Sequence, residues 1–247
     1  MQEFTVDLLL VKHFNNRMEM GAAAAREAAE TLRRVIHQKR HAVVMFAAAY
    51  SQQEVLAGLI TADVDWASVT AFHMDNYIGL PESAPQQFSN FLTRHLFSKL
   101  PFGQVHLMGN AESDAPRYAA LLRDNPIDVC FMGVGENGHI AFNDPHVADF
   151  HDPLLVKPVT LDLVCRNQQV RDQCFATLAL VPQYALTATI PALFSAREIF
   201  CVVPATPKAE AIRHMLKEPV SEACPASILR RHPSARLYLD ADSASLL

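Results

Sequence analysis

Short runs of consecutive apolar residues alternate along the chain with longer stretches of helical periodicity. Residues 21–40 are rich in Ala, Glu and Arg, with Ala28, Leu32 and Ile36 spaced four apart, which predicts a helix. Residues 42–48 follow as a buried strand centred on Val43-Val44-Met45-Phe46, and residues 52–60 return to helix. Residues 69–74, 127–132 and 198–203 predict three further strands, and residues 236–239 a fifth at a sheet edge. Helices are predicted over 87–100, 114–123, 183–195 and 207–216. Uniformly apolar strands separated by helices mark a mostly parallel sheet covered on both faces. The expected fold is therefore doubly wound α/β, a Rossmann-like three-layer arrangement with ligands at the carboxyl ends of the strands. No internal repeat and no Gly/Ser/Pro-rich linker divides the chain, so one domain over 1–247 is expected.

Composition narrows the function classes. The chain has 247 residues, 50% hydrophobic and 19% charged, enough to build a core without disulfide or metal staples. Its formal charge of −5 gives no basic footprint for nucleic acid or an anionic membrane. The longest apolar run, residues 42–50, is far too short to span a bilayer. A cytoplasmic protein is expected, since residues 1–4 carry no signal-peptide pattern. The five cysteines, Cys130, Cys165, Cys174, Cys201 and Cys224, include no CxxC pair and are expected to be reduced thiols.

Two segments that follow strands carry the candidate chemistry. In Phe72-His73-Met74-Asp75-Asn76-Tyr77-Ile78-Gly79-Leu80-Pro81, Asp75 falls where a strand should end and a loop begin. A carboxylate there can act as a base on a bound substrate, though a lone Asp at such a place also serves as a turn or capping residue. In Gly133-Val134-Gly135-Glu136-Asn137-Gly138-His139-Ile140-Ala141-Phe142-Asn143-Asp144-Pro145, three glycines in six residues permit tight turns and close backbone approach to a ligand. The GxGxxG spacing raises a dinucleotide site, but His139, Asn143, Asp144 and Pro145 stand where that motif needs a long apolar helix. His139 flanked by Asn137 and Asp144 points instead to an imidazole oriented by polar partners for acid/base work.

These two segments, FHMDNYIGLP and GVGENGHIAFNDP, resemble the signatures of the glucosamine-6-phosphate deaminase/isomerase family, which is related to the 6-phosphogluconolactonases. The similarity extends through Val181-Pro182-Gln183-Tyr184-Ala185-Leu186-Thr187 and to Lys208. The resemblance implies ring opening of an amino sugar phosphate, aldose–ketose isomerisation and loss of ammonia, with no metal and no organic cofactor. It implies Asp75 as the base moving a proton between C2 and C1, His139 as the acid at the ring oxygen, and Asp144 as the partner of His139. Family members are often homo-oligomers, and the implied ligand is a small sugar phosphate.

Several positions depart from the family pattern. Asn137 stands where an Asp is usual, and Asp144 where a Glu is usual, one methylene shorter. The usual glycine-containing phosphate loop is here Ala48-Ala49-Tyr50-Ser51-Gln52-Gln53, and Gln169 takes the place of a family arginine. The implied phosphate ligands are then Ser51, the following helix N-terminus and Lys208, with Gly135 and Gly138 bringing backbone close and Arg166 or Arg171 substituting for the missing arginine. The altered loop leaves open a different or phosphate-free sugar on the same acid/base pair, lactonase activity, or a non-catalytic sugar-phosphate sensor.

Overall fold

A computed structural model describes all 247 residues, Met1–Leu247. The strands β1 (Gln2–Val6), β2 (Leu9–His13), β3 (Ala42–Phe46), β4 (Val69–His73), β5 (Asp75–Tyr77), β6 (Gln104–His106), β7 (Val129–Met132), β8 (Val156–Thr160), β9 (Tyr184–Ala188), β10 (Glu198–Val203) and β11 (Ala235–Leu239) form two sheets. Eight of them make the central sheet, in the order β1-β2-β11-β10-β7-β3-β4-β6. Every pairing in it is parallel except the N-terminal hairpin β1–β2. The chain winds from β3 outward to β4 and β6, then returns beside β3 as β7 and winds the other way. The reversal between β3 and β7 opens a crevice at their carboxyl ends.

The apolar runs of β3, β7 and β10 are buried on both faces because each face has its own core. On one side, Val44, Phe46, Phe131, Phe200 and Tyr238 pack beneath α1 (Arg17–Lys39) and α2 (Gln53–Ile60). Their rings form a stacked file across four strands, Phe46–Phe131 at 5.2 Å, Phe131–Phe200 at 5.6 Å and Phe200–Tyr238 at 6.0 Å. Trp66, the chain's one tryptophan, meets Phe102 edge-on at 5.2 Å in this layer. The two helices approach closely at Gly21, where a Cβ would lie 2.2 Å from the Glu54 Cβ. On the opposite face, Val43, Met45, Cys130 and Met132 pack with α4 (Ala115–Asp124), α6 (Ile190–Phe194) and α7 (Ala209–Lys217).

The expected mostly parallel α/β architecture is therefore present, and two elements differ from the sequence reading. Residues 183–195 are not one helix: β9 comes first and α6 begins only after Thr189, whose hydroxyl caps it. The first half is claimed by pairing, since β9 lies between β5 and β8 in a small antiparallel sheet. Tertiary pairing overrides helical periodicity there. Residues 236–239 form an interior strand rather than an edge, because β2 adds outside β11. The helix expected over 87–100 is α3 (Phe88–Leu92) running into a π-turn at Thr93–Phe97. No helix is long and apolar enough to cross a membrane.

Candidate active site

The crevice between β3 and β7 is a cavity of about 370 Å³, walled by the segments after β3, β4, β7 and β10 and by the C-terminal turn of α5 (Leu163–Arg171). Asp75, His139, Ser51, Gly135, Gln169 and Lys208 all line it.

Asp75 does not sit on a loop, as its sequence context suggests. It opens β5 after a single connecting residue, Met74, and pairs with Thr187 of β9. The jump between sheets is pinned by His73. Its Nε2 accepts the Met108 N–H at 2.8 Å, so the ring proton is on Nδ1 and donates to the Asp75 carbonyl at 2.9 Å. Burial holds the His73 imidazole neutral, down to about 4, partly offset by that hydrogen bond. The Asp75 carboxyl is itself buried, makes no hydrogen bond to protein and is raised well above the usual aspartate value by desolvation. A carboxylate so raised is a stronger base facing the cavity.

His139 is held from behind. Gly135 provides the floor: a Cβ there would lie 2.2 Å from the imidazole Cε1 and 2.3 Å from both ring nitrogens. Asp144, fully buried, places Oδ1 2.9 Å from His139 Nδ1, a close charge contact with the oxygen off the N–H line. The shorter side chain thus reaches the ring directly. Asn137 does not touch the imidazole. Its amide donates to Asp144 at 2.9 Å and Asp162 at 2.8 Å, while its carbonyl oxygen accepts the His139 backbone N–H at 3.1 Å. Burial pushes Asp144 up, but His139, Asn137 and the Asp162 N–H together hold it below the usual aspartate value. The unit is a neutral amide fixing a carboxylate that faces a histidine, with its second ring nitrogen left for substrate.

The other end of the cavity is polar and loosely partnered. Lys208 is 8% exposed and forms no ion pair, and burial lowers its pKa. Gln169, 6% exposed, has no hydrogen bond on its side-chain amide. Ser51 accepts from Gln52 Nε2 at 3.2 Å, leaving its O–H free to donate. Ala205, which leads into Lys208, has φ of 82°, a left-handed conformation that favours glycine, and its N–H donates to both Asp240 oxygens at 3.1 Å.

Asp144, Asn137 and Gly138 lie behind the cavity wall rather than in it. Gly138 serves the turn, with φ of 83° and a Cβ position 2.7 Å from the Cys224 Sγ. Neither proposed substitute arginine reaches the cavity. Arg166 turns away to the carbonyls of Leu178 and Val181, both at 2.9 Å, and Arg171 pairs with Glu136 on the exposed side of α5. Sequence reasoning also missed Asp172 and Gln168 on the same helix turn, and Arg17, Arg94 and His95 elsewhere on the wall. Gln168 precedes Gln169 and Asp172 follows it three residues on, so both were findable from it; Arg94 sits beyond α3 with no motif to mark it.

The chain matches the model of the glucosamine-6-phosphate isomerases/6-phosphogluconolactonase family over residues 15–238. It is 32% identical to a glucosamine-6-phosphate deaminase of Listeria welshimeri, covering 91% of this chain and 96% of that one. A glucosamine-6-phosphate deaminase of Bacillus thuringiensis is 30% identical, covering 98% of this chain and 89% of its own length. Among solved structures, a monomeric glucosamine-6-phosphate deaminase superposes with a TM-score of 0.87 at 27% identity, covering 96% of this chain and 99% of that chain. The 6-phosphogluconolactonase of Trypanosoma brucei shares the fold, with a TM-score of 0.79 at 15% identity over all of both chains. This chain belongs to the glucosamine-6-phosphate isomerase/6-phosphogluconolactonase family.

Proposed function

We propose that the protein is a glucosamine-6-phosphate deaminase, converting the amino sugar phosphate and water to fructose 6-phosphate and ammonia. The observation that carries this reading is the placement of a buried, unpartnered Asp75 carboxyl and the braced His139 imidazole on one cavity. His139 donates a proton to the ring oxygen as the C1–O bond breaks and the anomeric hydroxyl gives up its proton to solvent, giving the open-chain aldehyde. Asp75 removes the C2 proton as the aldehyde oxygen takes one up from solvent, giving an enolamine, and returns it at C1, which leaves an imine at C2. Water adds to that carbon, and ammonia leaves as the ketone forms. Asp144 stabilises the protonated imidazole between steps. Lys208 and Ser51 serve the phosphate end.

The test is a coupled assay of the purified protein on glucosamine 6-phosphate, following ammonia and fructose 6-phosphate together. Both products are expected in equal amounts. They should be lost in Asp75→Asn, and retained turnover in that variant overturns Asp75 as the base.

A further inference from the structure

The polar end of the cavity carries little net charge. Lys208 shares the cavity wall with two carboxylates, Asp172 and Glu136, which raise its pKa against burial, while one further cation nearby, Arg171, lowers it. Glu136 and Arg171 are paired with each other, so Asp172 remains to oppose Lys208. Asp172 is held in place: its Oδ2 accepts from Gln168 Nε2 at 3.2 Å, and Gln168 Oε1 accepts the Glu136 N–H at 3.0 Å. Gln169 beside it is neutral, buried and unpartnered. A free amide and a free hydroxyl, those of Gln169 and Ser51, can hydrogen-bond a hydroxymethyl group as well as a phosphate, since each both donates and accepts. A phosphate dianion entering here meets Lys208 with Asp172 opposing it, while Arg17 is already paired with Glu54, so its charge gains little.

We propose that Gln169 and Asp172 are specificity-determining residues that hold this subsite near electrical neutrality, so that phosphate-free 2-amino-2-deoxyhexoses enter the same site as their 6-phosphates. The inference rests on the deaminase reading above. Two other cations stand on the wall: Arg17, which is paired with Glu54 and donates to the Tyr50 carbonyl, and Arg94, which is exposed, forms no ion pair and is the competing one.

Ammonia release from glucosamine and from glucosamine 6-phosphate, measured on the full chain, tests this. In the wild type the two kcat/KM values should agree within roughly tenfold, about 1.4 kcal/mol. Asp172→Asn and Gln169→Arg should each lower KM for the phosphorylated sugar by about tenfold, since each adds one net positive charge beside the phosphate. The effect should fall in KM, and KM for glucosamine should not follow it. A wild-type preference for the phosphorylated sugar beyond about tenfold overturns the proposal. So does a pair of variants that leave the KM ratio unchanged, or an Arg94→Ala variant that alone weakens the phosphorylated sugar. If the folded wild type releases no ammonia from either sugar, the deaminase reading fails. Calorimetric binding of inorganic phosphate then still decides the subsite: about tenfold tighter binding in both variants supports it, and unchanged binding overturns it.

Discussion

The two ends of the cavity are built in opposite ways. At the acid/base end, each functional group is fixed by backbone or by buried partners: Asp75 by strand pairing, His139 by Gly135 beneath it and Asp144 behind it. At the polar end, Lys208 and Gln169 project from helical turns into the cavity with free ends, and the loop that presents Lys208 is strained at Ala205. The first end is preorganised; the second leaves its hydrogen-bonding capacity for a ligand. Proton transfer at carbon demands fixed geometry, whereas ligand binding can be completed by the ligand itself.

The sharpest way to break this contrast is Asp75→Asn, which should lower kcat by about 10²–10⁴-fold. The same variant should melt higher at neutral pH. Burial raises the folded-state pKa of Asp75, so its stabilising contribution is full below the ordinary aspartate pKa and is lost as pH rises through the raised value. Asn escapes that loss. For the same reason the acid limb of the wild-type rate profile should lie above the ordinary carboxylate range; a limb at the ordinary aspartate value would show that Asp75 is not the titrating base.

Gly135→Ala comes next. A Cβ there must displace the imidazole, so kcat should fall by roughly a hundredfold while circular dichroism and melting stay close to wild type. At the other end, Lys208→Met should raise the KM for glucosamine 6-phosphate by about 10–100-fold, the worth of a charged hydrogen bond, and leave kcat within severalfold. A large kcat loss instead would mean that the two ends are not separable.

Stability should also fall in acid. The folded-state pKa of His73 is lowered from 6.5 to about 4, so its stabilising contribution is full above pH 6.5 and is lost as pH falls toward 4. Denaturant titrations across that window should register a loss of roughly 3 kcal/mol from this group. The smallest effect belongs to Ala205→Gly, which relieves the left-handed strain and should gain about 1 kcal/mol in the same titration, with the entropy of glycine offsetting part of it.

Much of this was legible in the residues, and what was not has physical causes. The inner strands announced themselves because residues buried on both faces must be apolar throughout, as in Val129–Met132. The small sheet was hidden, since Tyr184–Ala188 becomes a strand only through partners more than twenty residues away in sequence. Asp75 and His139 stood out through the segments around them. The direction of an arginine is not written in its neighbours: Arg166 and Arg171 lie on the right helix yet turn to the Leu178 and Val181 carbonyls and to Glu136. Asn137 was placed beside the right histidine but on its backbone instead of its ring.

The position of Trp66 has a practical consequence. Its indole is buried against Phe102 in the α1/α2 layer and takes no part in the cavity wall. Intrinsic tryptophan emission from this protein therefore reports the integrity of that layer and should stay silent when a sugar binds. Fluorescence-monitored melts of every variant above can be compared directly with ligand present, and any ligand-induced rise in midpoint measures linkage to the folded state instead of a spectral change at the site.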